Sequence, residues 1–202
     1  MKLPGMLHYA VLGALIAAAD QASKAWVIAV LELRERVDVL PVFAWVHVQN
    51  RGAAFSFLAG ADGWQRWLFA LLAIGFSGWL LWELSRLRRE ERTLAVAYAL
   101  VLGGAIGNLA DRVLQGSVTD FVLVHWFDRA YFPAFNVADA AITVGAGLWI
   151  LVAVLESRGG GGDNADTDGS VEEDGAAGSD DRALRRATDT GSVHGNRDRN
   201  RG

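Results

Sequence analysis

Four long apolar stretches constrain what this chain can fold into more than any other feature. They cover residues 7–31, 67–84, 93–109 and 137–155. Each approaches or reaches the roughly 20 residues that a helix needs to cross a bilayer. All four are rich in Ala, Leu, Val and Gly, as is typical of helices packed in lipid. The sequence therefore predicts an all-α polytopic membrane protein with four transmembrane helices.

The first stretch admits a second interpretation, a cleavable signal peptide. Lys2, the apolar run and the small residues 17–19 fit such a segment. However, apolar residues resume after Lys24, at positions 25–28. We therefore interpret the stretch as a permanent span.

The orientation follows from the linker between the second and third stretches, residues 85–92. It is short and holds four arginines, namely Arg86, Arg88, Arg89 and Arg92. A dense cluster of basic residues in a short loop marks the cytoplasmic side. With four spans, both termini are then expected in the cytoplasm, and the long loops 32–66 and 110–136 outside it.

The segments outside the spans differ in character. Apolar residues partly alternate over 37–57, which predicts a small β-sheet in the first extracytoplasmic loop, lying on the membrane surface. Residues 158–202 contain almost no large apolar side chains, so we expect a disordered cytoplasmic tail after a membrane domain at 1–157. The formal net charge is −4, without the basic excess that nucleic-acid binding requires.

The unusual polar residues are predicted to meet at one depth, the outer leaflet. Ionisable residues within spans are costly, so each is a candidate for function. Asp20 and Lys24 are four residues apart on one helix face and can pair. The residues that reach this level are Asp20, Lys24, Asn50, Arg51, Asn108, Asp111, Arg112, Asp120, Asn136 and Asp139.

The residue types available at this level exclude several hydrolase mechanisms. The chain has no cysteine, which excludes a thiol nucleophile. It contains no G-x-S-x-G or H-E-x-x-H motif, and its four histidines are isolated in sequence. Carboxylates remain as the acid and base groups.

Asp120 and Asp139 come from two segments that are expected to meet. Two carboxyl groups in one partly desolvated site retain one proton between them. The ionised member can take a proton from water while the protonated one polarises an amide carbonyl. Asp111 is an alternative member of the pair, and the helix dipole by itself accounts for an Asp in the position of Asp139.

Five blocks in order resemble the lipoprotein signal peptidase family (signal peptidase II). The resemblance covers about residues 7–156, and the blocks are DQASK at 20–24, NRGAAFS at 50–56, GNLADR at 107–112, GSVTDF at 116–121 and FNVAD at 135–139. By this resemblance, Asp120 and Asp139 are similar to the catalytic pair of an aspartic endopeptidase. The residues that resemble the family's substrate-positioning set are Asn50, Asn108, Arg112 and Asn136. Those that resemble supporting residues are Asp20, Lys24 and Asp111.

The resemblance also implies a substrate and a location. The substrate is a prolipoprotein with a diacylglyceryl-modified cysteine, and cleavage falls just before that cysteine. The implied location is the bacterial inner membrane, with the active site near its periplasmic face. The resemblance implies a monomer without metal or cofactor that is sensitive to globomycin, with the substrate and membrane lipid as its partners.

Three other classes of protein also place polar residues within membrane spans. A small ion-coupled transporter would place acids on both sides of the midplane, whereas the inner halves of these spans are apolar apart from Glu83. A scaffold without catalysis would tolerate Asp→Asn changes at the pair. A presenilin-type protease would carry a Gly-x-Gly-Asp signature in a span, and none of the four apolar stretches carries one. The third span's Gly103, Gly104 and Gly107 could receive a substrate helix or pack against a neighbouring span.

Overall fold

Four long helices dominate the structure, a computed structural model that describes residues 3–52, 63–127 and 129–159. Each contains a segment long and apolar enough to cross a membrane. They are α1 (Leu3–Val30), α2 (Gln65–Arg86), α3 (Arg92–Leu114) and α4 (Val137–Gly159). The four predicted spans are thus confirmed, with ends extended by a few residues.

Helix α3 is central and contacts the other three helices. Its glycines allow this close packing. A Cβ on Gly103 would lie 2.5 Å from the carbonyl oxygen of Gly13 in α1, and one on Gly104 would collide with the carbonyl oxygen of Ala138 in α4. A Cβ on Gly107 would meet a carboxylate of α1. These glycines therefore pack against helices of the same chain. The structure supports their interpretation as sites of packing against neighbouring spans rather than as a surface for a substrate helix.

The outward faces of the helices are apolar. Between α2 and α3, apolar side chains pack closely at the end opposite the sheet. There Leu80 and Leu84 of α2 are fully buried against Tyr98 and Leu102 of α3. Large apolar side chains elsewhere on the helices are more than half exposed, among them Leu15, Leu71, Leu72, Ile150 and Leu155. Such a surface is unfavourable in water and suits a lipid environment.

A four-stranded antiparallel sheet caps the bundle. Its strands, in spatial order, are β1 (Arg36–Leu40), β2 (Phe43–Asn50), β3 (Val118–Trp126) and β4 (Ala130–Tyr131). The first two confirm the sheet predicted in the first extracytoplasmic loop. The other two come from the loop between α3 and α4, where the sequence had predicted no strand. Asp120 therefore lies on a strand rather than in an irregular loop.

Aromatic side chains join the sheet to the end of α1. The ring of Trp45 on β2 lies 6.0 Å from that of Trp26 on α1 and 5.9 Å from that of Phe121 on β3. In the β2–β3 ladder, Val48 is opposite Asp120, and Asn50 is opposite Val118. This register brings Asn50 and Asp120 to the end of the sheet nearest α3 and α4.

Two predictions fall largely outside the described residues. The tail predicted at 158–202 is described only at Arg158 and Gly159, which complete α4. Residues 53–56, the second half of the NRGAAFS block, are likewise not described.

Candidate active site

Asp120 is held at the start of β3 by two asparagine side chains. It is 3% exposed. The Asn50 amide donates a hydrogen bond to its Oδ2 at 3.1 Å, and the Asn136 amide donates to its Oδ1 at 2.7 Å. Both carboxyl oxygens therefore have a fixed orientation.

Asp139 is fixed by the geometry of the start of α4. Asn136 precedes the helix, and its Oδ1 accepts the backbone N–H of Asp139 at 2.9 Å. In return, the Asp139 carboxylate accepts the backbone N–H of Asn136 at 3.3 Å. This reciprocal pair has the pattern of a capping box and satisfies two N–H groups that the first turn would leave unpaired.

Asn136 connects the two aspartates. It is fully buried, its side-chain amide donates to Asp120, and its backbone N–H donates to Asp139. The same residue thus sets the position of both carboxyl groups, one on the sheet and one on a helix.

Beneath this pair lies a buried charge cluster centred on Lys24. Its Nζ lies 2.7 Å from Asp20 Oδ2, 2.9 Å from Asp111 Oδ2 and 2.9 Å from Asn108 Oδ1. All three Nζ protons therefore have acceptors, as a buried cation requires. The pairing of Asp20 with Lys24, predicted from their spacing, is confirmed.

The cluster also ties the helices and the sheet together. Asp20 Oδ1 accepts the backbone N–H of Ala138 in the first turn of α4 at 2.9 Å. Asp111 Oδ2 accepts the backbone N–H of Thr119 on β3 at 3.0 Å. The Asp111 carboxylate is fully buried and its two oxygens are engaged, so its geometry is that of a structural residue.

Asn108 connects the Lys24 cluster to Asp139 through hydrogen bonds. Its Oδ1 accepts from Lys24, and its Nδ2 donates to Asp139 Oδ1 at 2.8 Å. Since the lysine can only donate, it fixes which end of the Asn108 amide points toward Asp139. On the same helix face Arg112 donates to the Asn108 backbone carbonyl at 3.2 Å and lies over the ring of Phe69.

Asp120 and Asp139 line one cavity of about 560 Å³. Asn50, Asn108, Arg112 and Thr143 also line it, and the rest of its wall is apolar. The apolar wall is formed chiefly by Val118, Phe132, Phe135, Ile142 and Val144. The cavity thus combines a few polar groups with an apolar wall that β3, residues 132–135 and α4 form together, an arrangement typical of ligand sites.

Burial raises the pKa of Asp120 to about 7, and the neighbouring carboxylate of Asp139 contributes to the rise. The hydrogen bonds from Asn50 and Asn136 and the charge of Lys24 act in the opposite direction. Near neutral pH, Asp120 is therefore divided between its protonated and ionised forms.

The structure brings together nine of the ten residues singled out from the sequence. The exception, Arg51, is exposed and does not line this cavity. The structure also adds Gln21 to the site. Gln21 donates from Nε2 to Asp111 Oδ1 at 2.7 Å and to the Gly107 carbonyl at 3.1 Å. A polar residue beside Asp20 in an apolar span was the signal that could have identified it.

The fold and the site define a multi-pass α-helical membrane protein with a buried polar site beneath a small sheet. The family model described as signal peptidase (SPase) II matches residues 12–155. The lipoprotein signal peptidase of Pseudomonas fluorescens is 56% identical over 143 residues, which are 70% of this chain and 84% of that protein. The lipoprotein signal peptidase of Pseudomonas aeruginosa is 51% identical over 157 residues, which are 77% of this chain and 93% of that protein.

Solved structures agree with this result. One bacterial membrane enzyme determined by the in meso method matches with a TM-score of 0.66 at 26% identity, covering 84% of this chain and 96% of that one. Another gives 0.63 at 28% identity, covering 77% and 96%. The chain belongs to the signal peptidase II family, and the resemblance of the five blocks is confirmed. It is accordingly a multi-pass bacterial membrane protein of a peptidase family.

Proposed function

We propose that this protein is an aspartic endopeptidase that removes signal peptides from diacylglyceryl-modified prolipoproteins by cleaving just before the lipidated cysteine. The observation that carries the proposal is the cavity in which Asp120 and Asp139 meet, each oriented by asparagine amides. The names of the relatives, lipoprotein signal peptidases, support the choice of substrate.

The proposed chemistry needs one carboxyl group with a proton and one without. Asp120, with its pKa of about 7, holds the shared proton. Asp139 takes a proton from a water molecule, whose oxygen attacks the scissile carbonyl carbon while Asp120 donates its proton to the carbonyl oxygen. When the tetrahedral intermediate collapses, the C–N bond breaks and the cysteine nitrogen leaves with the proton that Asp139 took up. One hydroxyl proton of the intermediate returns to Asp120 as the C=O bond re-forms, which leaves a carboxyl group on the signal peptide and restores the pair.

The surroundings of the pair suit a substrate anchored in the membrane. The apolar wall formed by Ile142, Val144 and Phe135 can receive the signal peptide and the acyl chains from the bilayer. Arg112, Asn50 and Asn108 supply hydrogen-bond donors toward the backbone of the cleaved segment. We place this site at the periplasmic face of the inner membrane, with both termini in the cytoplasm, because the arginine-rich loop lies at the opposite end of α2 and α3.

The test is cleavage of a purified diacylglyceryl-prolipoprotein. The reaction is monitored by the change in size of the substrate and by mass spectrometry of the new N-terminus. The wild type is expected to release a product that begins with the lipidated cysteine. Asp120→Asn and Asp139→Asn are each expected to lower kcat at least about 1,000-fold, because either change removes one half of the acid–base pair.

Asp38→Asn provides the matched control, because Asp38 is an exposed carboxylate on β1 outside the cavity. It should cleave like the wild type. Helical circular dichroism and elution volume in detergent establish that each variant is folded. Cleavage by folded Asp120→Asn or Asp139→Asn at the wild-type rate would refute the aspartic mechanism and favour a scaffold or transporter function.

The mechanism uses no metal, so a chelator is expected to leave the cleavage rate unchanged. Globomycin is expected to inhibit the reaction, as the family membership implies. Loss of activity with chelator and its recovery on adding zinc would contradict the proposed chemistry.

A further inference from the structure

A second cavity, of about 770 Å³, also borders Asp120. It is lined by the connection between α1 and β1, by the last residues of β2 and by residues 131–134. Asn50, Asp120 and residues 132–134 belong to the linings of both cavities. A peptide whose scissile bond lies at Asp120 therefore has access to both.

The two cavities differ in chemistry. The first runs along α4 and has an apolar wall, whereas the second is bordered by Arg34, Gln49, Arg51 and Tyr131. Among the described residues that line the second cavity, Asp120 is the sole acid. The second cavity therefore presents positive charge and hydrogen-bonding groups to whatever enters it.

The two arginines are available to a ligand. Both are exposed, and within the described parts of the chain neither forms an ion pair. The backbone at Arg34 has φ 73° and is held by a 2.7 Å hydrogen bond from its N–H to the His47 carbonyl. The carboxylate of nearby Glu35 accepts a hydrogen bond from the backbone N–H of Glu32. Neither Glu32 nor Glu35 lines the second cavity.

A prolipoprotein changes character at the cleaved bond. The signal peptide and acyl chains before and at the cysteine are apolar, whereas the polypeptide after the cysteine continues into water. The apolar cavity suits the first part and the arginine-lined cavity suits the second. Resting on the proposed function, we propose that the second cavity binds the residues that follow the lipidated cysteine, and that Arg34 and Arg51 make it prefer acidic side chains there.

The test compares lipidated substrates that are identical except at the two positions after the cysteine, which are both Asp, both Asn or both Lys. The wild type is expected to cleave the Asp substrate with a kcat/KM about five- to tenfold above that of the Lys substrate, in keeping with partly exposed charge pairs. The ratio should fall at high salt, because exposed charges are screened. In the double variant Arg34→Gln/Arg51→Gln, the Asp and Lys substrates should be cleaved at nearly equal rates.

Arg129→Gln is the matched control, since Arg129 is an exposed arginine in the turn before β4 and does not line the cavity. It should keep the wild-type ratio. Equal cleavage of Asp and Lys substrates by the wild type, or an unchanged ratio in the double variant, would overturn the subsite while leaving the peptidase proposal intact. A wild type that cleaves none of the three substrates would overturn both.

Discussion

At the scale of single residues, the ionisation of Asp120 makes both the stability of the fold and the proposed cleavage rate depend on pH. Its pKa is raised from about 4 in the unfolded chain to about 7 by burial and by Asp139. The folded state therefore holds this proton more tightly than the unfolded state. The resulting stabilisation is complete below about pH 4 and is lost as the pH rises through about 7.

We therefore expect the melting temperature in detergent to fall between about pH 5 and 8, and this fall to be smaller in Asp120→Asn, which has no proton to lose. Thermal unfolding across this range is the measurement, with Asp38→Asn as the control. An Asp120→Asn variant with the same pH dependence as the wild type would contradict the raised pKa.

The cleavage rate should follow the same ionisation. Above about pH 7 Asp120 is mostly ionised and can no longer donate a proton to the carbonyl oxygen, so kcat/KM should decline on the alkaline side. A pH–rate profile measured from about pH 5 to 9 checks this. A rate that keeps rising to the alkaline end would show that the proton of Asp120 is not needed.

Lys24 illustrates how stability depends on a buried charge. Lys24→Met leaves Asp20 and Asp111 buried without their cation, which costs about 3–5 kcal/mol when one partner of a buried pair is removed. Arg36→Met removes the partly exposed partner of the exposed Asp38 carboxylate and should cost at most about 1 kcal/mol. Denaturant titration of the two variants in detergent is the comparison, and equal losses would contradict the structural importance of the cluster.

Much of this site was predictable from local spacing. Asp20 and Lys24 share a helix face, and their pairing followed from a separation of four residues. The contact of Lys24 with Asp111 did not follow, because it depends on how α1 and α3 are rotated against each other, which packing at Gly103 and Gly107 decides. The catalytic roles of Asp120 and Asp139 remain predictions that the cleavage assay tests.

At the scale of elements, the contact between α3 and α4 determines where Asp139 lies. A Cβ on Gly104 would meet the Ile142 side chain at 2.8 Å and would collide with the carbonyl oxygen of Ala138. Since the backbone of α4 cannot yield as a side chain would, Gly104→Ala should destabilise the protein by about 1–3 kcal/mol and lower the cleavage rate.

Gly78→Ala is the matched control on α2, because nothing lies within 4 Å of a Cβ at Gly78. It should change stability by less than about 1 kcal/mol. Unfolding and cleavage assays on both variants distinguish close helix packing from a general effect of replacing glycine. Equal behaviour of the two variants would contradict the packing explanation.

The strand β3 shows where sequence patterns were insufficient. Its apolar residues 121–124 are contiguous rather than alternating, so the periodicity that identified β2 was missing. In the structure this strand pairs with β2 and supplies hydrogen-bond partners for the backbone groups of β2. The strand-forming residues Val118, Thr119 and Phe121 favour this conformation, and pairing with β2 holds Asp120 on the sheet.

At the scale of the whole molecule, the predicted orientation can be tested with single thiols, because the chain contains no cysteine. Val39→Cys lies on exposed β1, and Arg89→Cys lies in the loop between α2 and α3. In intact spheroplasts, a membrane-impermeant maleimide should label Val39→Cys and should reach Arg89→Cys only after permeabilisation. The reverse pattern would invert the topology and place the site on the cytoplasmic side.

The Lys24 cluster has a consequence for biogenesis. Its charges belong to α1 and α3. Asp20 and Lys24 can pair within α1, but the Asp111 carboxylate of α3 reaches Lys24 only when the two helices pack, and Asp20 also accepts a backbone N–H from the first turn of α4. While the chain is being inserted, lipid offers the Asp111 carboxylate no partner until α3 packs against α1. The contacts that support the site are therefore complete only after α1, α3 and α4 have assembled.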